Sequence, residues 1–302
     1  MNIFTQRVNT FIIPTNKIQK VLFDPRKNKI FYEKSTVAVR TGGNKLNPVE
    51  VFVNVDFQNL KNNGAEIPES NRLNLYDREI LNSVISLYNA GNQYFSPNMI
   101  LNVLSGNKAY KNGNRKSITL NNHKEIISSL EKMKQTFITI DASREGQIFN
   151  KKEYSYSGSL LLFDWTNGIS LNNNSVRDCI NLLKYPPLFE YSKLRKQLAS
   201  TNVELLGVLS NRSIHILIKG YLLRELLWMK YSKKRKTVIR YDSLQDYLGL
   251  TLSGNEDNIN HQRKTLRDNV KKCFDYWITE KFIHGYSEEK ERNIFSKIVV
   301  QL

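Results

Sequence analysis

Residues 261–283 read HQRKTLRDNVKKCFDYWITEKFI. The front half is basic and polar, the back half aromatic and apolar. At helical spacing the stretch resolves into two faces. From Leu266, the residues Val270, Cys273 and Trp277 follow at intervals of four, three and four, with Phe274 flanking, as an apolar stripe would that packs on a core. Lys264, Arg267 and Lys271, at intervals of three and four, line a different face, with Asn260 one turn earlier and Arg263 in the same run. A helix that lies in a DNA groove needs this division, because phosphates attract cations while base edges pair with amides and guanidinium groups. Solvated helix flanks also carry Lys and Arg, so the surroundings of the stretch decide between the two readings.

Upstream, RSIHILIKGYLLRELLWMK (212–230) predicts a long helix with Ile214, Ile218, Leu222, Leu226 and Met229 inward. YSKKRKTVIRY (231–241) is basic and includes a short strand; Lys233, Lys234, Arg235 and Lys236 fit a phosphate backbone or a solvated loop. DSLQDYLGL (242–250) predicts a brief helix, capped by Asp242 or Ser243 and stopped by Gly249. Downstream, IHGYSEEKERNIFSKIVVQL (283–302) reads as a β-hairpin turning at 287–291, with Lys290 and Arg292 near its tip. A short helix joined to a longer one and followed by a hairpin is the order of a winged helix, a helix-turn-helix variant whose second helix enters the major groove.

The same order occurs once before. LNLYDREILNSVISLYNAGN (73–92) has helical spacing and stops at Gly91, and QYFSPNMILNVLSG (93–106) adds a short helix with Ser96 as cap and Pro97 at its first position. After a basic loop carrying Lys111, Arg115 and Lys116, TLNNHKEIISSLEKMK (119–134) predicts a third helix with Ile126, Leu130 and Met133 inward. Asn121, Lys124, Ser128 and Lys132 share its opposite face and are candidate nucleic-acid contacts. TFITIDAS (136–143) and EYSYSGSLLLFDW (153–165) then predict the hairpin of this unit, with Arg144 as a wing candidate. The fold class expected is α+β: two winged-helix units, 71–185 and 186–302, behind a β-rich segment 1–70.

That segment reads as strands. KIFYEKSTVAVRT (29–41) is aromatic and β-branched, and VEVFVNVDF (49–57) alternates, with Val49, Val51, Val53 and Val55 facing one way. Residues 61–71, polar with Gly and Pro, read as a linker. A hairpin for homodimerisation is one reading of 1–70.

Charge agrees with a polyanionic partner. The chain of 302 residues carries 45 Lys+Arg against 28 Asp+Glu, and every segment is net basic, the last most so. No run approaches the ~20 apolar residues of a membrane span, the N-terminus lacks a secretion signal, and the two cysteines form no pair motif, which points to the cytoplasm. Catalysis, metal and cofactor are not expected. GGNKLN and SGNKAY lack the spacing of a phosphate-cradling loop, and His123, His215, His261 and His284 are scattered. His215 between two isoleucines reads as a satisfied core histidine, and Asp242 with Asp246 as helix-start acids.

Three stretches together resemble plasmid replication initiators of the tandem winged-helix type: LNLYDREILNSVISLYNAGNQYFSPNMI, GYLLRELLWMKYSKKRKTVIRYDSLQDYLGL and HQRKTLRDNVKKCF, so that the resemblance covers about 72–302. It implies double-stranded DNA at origin repeats as partner, with host replication proteins recruited there. It also implies that Lys264, Arg267 and Lys271 carry base reading while the first unit contacts phosphates or a second protomer. The segment 1–70 is longer than that family leads one to expect. A transcriptional regulator of a mobile element would use the same helices at an operator.

Overall fold

Val49, Val51, Val53 and Val55 are each buried, at most 4% exposed, while Phe52 between them faces outward. A strand with one such face needs a second layer and a paired edge, and the first unit supplies both. The computed structural model describes residues 2–34, 36–44, 47–56, 71–107, 119–167, 169–171, 174–176, 178–232, 237–292 and 294–302. The fold is α+β, in two units: residues 1–103 with 116–202, and 104–115 with 203–302.

The first unit opens with β1 (Asn2–Ile3), β2 (Thr10–Pro14), α1 (Lys17–Leu22), α2 (Lys29–Glu33), β3 (Val37–Gly43) and β4 (Pro48–Asp56). It continues with α3 (Leu75–Asn89), β5 (Tyr94–Phe95), α4 (Pro97–Leu104), α5 (Leu120–Gln135), β6 (Phe137–Asp141), α6 (Ser143–Ile148) and β7 (Ser155–Ser159). Then come β8 (Phe163–Thr166), β9 (Ile169–Leu171), β10 (Asn174–Val176), β11 (Cys179–Leu182), α7 (Pro187–Leu194) and β12 (Leu198–Asn202).

The central helix of this unit is α3. Asn74 caps it by accepting from the Tyr76 and Asp77 amides, and Asp77 returns the bond to the Asn74 amide, a full capping box. Every residue from Leu75 to Leu87 is buried, polar ones included, and several of the polar ones bond to neighbouring elements. Ser86 Oγ accepts from the Ile12 amide of β2, and Asn82 accepts from Gln19 of α1.

The N-terminal segment is therefore part of the unit, which differs from the predicted boundary at 70. β2 pairs antiparallel with β12, and β4 pairs with β6 in a four-stranded sheet of order β3-β4-β6-β7. Val53 sits opposite Ile140 and Val55 opposite Ile138, which is how the valine face gains its neighbours. The unit extends to residue 202 rather than ending at 185, because β12 is the partner that β2 requires. Residues 29–33, read as strand, form α2 instead. Asn28 holds that turn by donating to the Leu22 and Leu73 carbonyls, a tertiary bond that overrides local β preference. The predicted linker lies almost wholly outside the described residues.

The hairpin expected after α5 is also arranged differently. β6 and β7 pair with each other but belong to the sheet of β3 and β4. Arg144 lies on α6 between them, not on a wing. The run 153–165 breaks after Ser159, where the Leu160 and Leu161 amides donate to the Thr136 and Met133 carbonyls, and its remainder becomes β8. β8 pairs with β11, and β11 with β5, in a three-stranded sheet of order β5-β11-β8.

The second unit holds a 3-10 turn (Val203–Gly207), α8 (Ser213–Tyr231), β13 (Val238–Arg240), α9 (Tyr241–Leu248), α10 (Glu256–Thr279), β14 (Gly285–Glu291) and β15 (Ile294–Gln301). Leu222, Leu226, Leu244, Leu266, Val270, Cys273, Phe274, Trp277, Ile298 and Val300 form its core. Trp277 donates to the Leu205 carbonyl at 2.9 Å, satisfying the one polar atom of a fully buried ring. Lys219, also buried, donates to the Leu206 carbonyl at 2.9 Å. His215 is half-buried rather than core, and bonds Ser210 through Nδ1 at 2.7 Å. α9 starts at Tyr241, so Asp242 lies in its first turn rather than at the cap, and Gly249 ends it at φ 65°. The hairpin turns at Arg292, beyond the predicted 287–291.

The two units share one path. Each runs helix, strand, helix, helix, strand, strand: α3-β5-α4-α5-β8-β11 and α8-β13-α9-α10-β14-β15. In each, the last strand lies between the other two. The first unit differs by insertions, β6-α6-β7 after α5 and β9-β10 after β8.

Candidate nucleic-acid interface

The stretch 261–283 belongs to α10, which starts five residues earlier than its aromatic and basic character suggests. Asn255 caps it by accepting from the Asn258 amide at 3.0 Å, and Glu256 and Asp257 suit the positive end of the helix dipole. The buried stripe is Leu266, Val270, Cys273, Phe274 and Trp277, as the spacing predicts. Burial pushes the Cys273 thiol up to about 12, against the pull of Lys219, so it packs as an apolar group.

Outside that stripe, Asn260 and Lys264 are exposed, and Arg263 and Lys271 are half-buried. Arg267 is placed differently. Its Nε lies 2.8 and 3.0 Å from the two carboxylate oxygens of Glu288 on β14, and its Nη2 donates to Oε2 at 2.7 Å. Its guanidinium carbon stands 3.5 Å from the centre of the Phe295 ring on β15. Tyr241, at the start of α9, donates to the same carboxylate at 2.7 Å. Burial alone would raise the Glu288 carboxyl, but the Arg267 and Tyr241 hydrogen bonds and the nearby cations hold it below its usual range. Three elements thus meet on one carboxylate, and the Arg267 fork is turned to the hairpin. Neither Glu288 nor Phe295 was among the sequence candidates. Glu288 is one of three acids in β14, half-buried where Glu289 and Glu291 are exposed, and the local sequence alone did not single it out.

In the first unit, Asn121, Lys124 and Ser128 are exposed along one line of α5. Thr119 caps the helix, accepting from the Asn122 amide. Lys132, expected on the same face, is buried at 8% exposure and donates to Asp77 of α3 at 2.7 Å, where Ser129 also donates at 2.5 Å. It is a core ion pair and not a surface cation. The reason is the slow rotation of an i, i+4 row around the helix, which carries its fourth member against the neighbouring α3. Trp165 of β8 donates to Glu131 of α5, tying strand to helix as Arg267 and Glu288 do in the second unit. His123 faces Asp178 at 3.3 Å.

Arg115 and Lys116, and Lys233, Lys234, Arg235 and Lys236, lie outside the described residues. So does Lys111. Of the wing candidates in the second unit, Lys290 lies 4.6 Å from the Phe295 ring centre and Arg292 is exposed at the turn. Among the described residues no three His, Cys, Asp or Glu side chains cluster to hold a metal, and no helix is long and apolar enough to cross a membrane.

No family model matches the chain, and no curated protein sequence matches it. Among solved structures, the crystal structure of the RctB domains 2-3 is similar at a TM-score of 0.47 and 11% identity, over 94% of this chain and 96% of that one. A second crystal structure, of selenomethionine derivatives of domain 2 and domain 3 of RctB, is similar at 0.44 and 12%, over 95% and 96%.

Proposed function

We propose that this protein binds duplex DNA sequence-specifically through two winged-helix units, and that it acts without catalysis in initiating replication at origin repeats. The reading of each unit as a winged helix is supported by the repeated path with its central last strand, the topology in which a third helix and a hairpin face the same duplex. The observation that carries DNA binding is the division of α10. A fully buried apolar stripe fixes the helix, while Asn260, Lys264 and, partly, Arg263 and Lys271 stay outside it in a chain of net charge +17. The assignment to origin repeats rests on the resemblance of the three sequence stretches. In this reading Arg267 is a positioning residue, fixing the hairpin to the reading helix, base contact falls to Asn260 and Arg263, and Lys264 meets the phosphate backbone.

The test is a salt titration of binding to random and selected duplexes. Log Kd should rise steeply with log salt, and Lys264→Ala should lower the slope by ~1 if it contacts phosphate. A salt-independent affinity would sink the proposal. Selection of bound duplexes from a random pool should return a repeated motif; a single operator-like palindrome would favour transcriptional regulation instead.

A further inference from the structure

β3 is an edge strand. It pairs with β4 and, among the described residues, with no other strand. Four consecutive residues of it, 37–40, line a cleft of about 500 Å³. Successive strand residues point to opposite faces, so a cleft lined by four in a row runs along the strand's edge and not over one face. Along such an edge, alternate residues direct their N–H and C=O groups away from β4. The rest of the lining comes from α1, the start of α2 and the turn between them, with Val21 and Ile30 apolar and Lys17, Lys20 and Lys27 basic.

Four cations line the cleft. Arg40 donates to the Gly42 and Gly43 carbonyls at 3.2 and 2.9 Å, which fixes its charge at the hairpin end. Lys27 is paired with Asp24 at 3.0 Å. Lys17 and Lys20 lie one turn apart on α1, and both are exposed. An occupant must therefore bring hydrogen-bond donors and acceptors in alternation, negative charge, and small apolar groups.

We propose that this cleft takes an acidic peptide segment of a partner protein as an added strand on β3, with its carboxylates against Lys17, Lys20 and Arg40. A DNA backbone fits less well, because phosphates only accept hydrogen bonds and would leave the outward C=O groups of the edge unpaired. A second copy of this chain pairing through β3 would bring two sets of the same cations together, which disfavours it. Edge addition explains why the cleft combines a strand edge with a basic lining: the backbone supplies affinity and the lining cations select charge. The inference concerns the first unit only and stands apart from DNA binding by α10.

The test uses the full chain and a fluorescent peptide of about eight residues alternating valine and glutamate, a length matched to an edge strand. Anisotropy should report binding that falls at least tenfold when glutamine replaces glutamate. It should fall as much when alternate backbone nitrogens are methylated in one register, and stay unchanged when they are methylated in the other. The exposed pair Lys17→Glu/Lys20→Glu should lose the acidic peptide tenfold or more while far-ultraviolet circular dichroism is unaltered. Equal binding by both methylated peptides would mean charge attraction alone and would overturn the proposal. So would displacement of the peptide by duplex DNA with a matching loss of duplex affinity in the double variant. A concentration-dependent dimer that this variant disperses would assign the edge to a second copy instead.

Discussion

Arg267 and Lys132 are both cations that helical spacing directs outward, and both end on a carboxylate of their own unit. What separates them from Lys264 and Lys124 is an acid within reach on a packed neighbour. Burial of Asp77 raises its carboxyl, and the charge and hydrogen bond of Lys132 offset part of that cost. Lys132→Ala removes the offset and leaves an uncompensated acid in the core, so stability should drop by about 3–5 kcal/mol in urea denaturation. The double variant Asp77→Asn/Lys132→Met should recover most of the loss, and an unchanged midpoint in the single variant would contradict the pairing. Glu288 has the opposite linkage. Its folded-state pKa lies below the ordinary glutamate value, so the stability it contributes is complete above that value and drains away as pH falls through the lower, folded one. Glu288→Gln should weaken the second unit by about 1–3 kcal/mol at neutral pH, the scale of a charge-assisted hydrogen bond, and should flatten its stability profile on the acid side. Unfolding midpoints collected from neutral pH down through the carboxylate range measure both effects. A variant as acid-sensitive as the parent would show that Arg267 holds no stabilising partner there.

At the level of elements, the long helices were legible and the strand partners were not. α3, α5, α8 and α10 carry their packing stripes in sequence order, and the cap Thr119 and the stop at Gly249 act through neighbours a few residues away. β6 carries no local mark of its partner, because pairing with β4 spans more than eighty residues and depends on which valine face needs cover. The same holds at the site. The basic flank of α10 could be read off the spacing, but the capture of Arg267 by Glu288 needed the hairpin register. Glycines show how far local reading reaches. Gly106 and Gly249 both have φ of 65°, so any side chain there is strained. A Cβ on Gly249 meets nothing within 4 Å, whereas one on Gly106 would stand 2.3 Å from the Gly207 amide nitrogen in the same unit. Gly249→Ala should therefore cost only about 1 kcal/mol, the ordinary left-handed penalty, and Gly106→Ala several-fold more. Thermal melts of the two variants side by side test this; equal shifts would mean that the close approach at Gly106 relaxes freely.

For the whole molecule, the decisive difference between the expected and observed organisation is the place of the first seventy residues. Read as an appendage, they could be removed and leave both helical units intact. In the structure they supply β2 to β12, β4 to β6 and Gln19 to Asn82, and so cover the part of α3 that carries Asn82 and Ser86. Removing residues 1–71 would expose the β6 edge and Ile12's partner Ser86, and would open the face of α3 that β2 covers. The chain's three tryptophans allow the two units to be followed separately, since Trp165 lies in the first and Trp228 and Trp277 in the second. With fluorotryptophan incorporated, the full chain should give three resolved fluorine resonances. The truncated chain, 72–302, should lose the resolved Trp165 signal to the unfolded position. Its buried Trp277 signal should keep its native shift, because the ring's hydrogen bond to Leu205 and its ring contacts with Phe274 and Phe282 all lie within the second unit. If Trp165 also kept its native shift, the first unit would need nothing from its N-terminal strands, and the boundary near residue 70 would be restored.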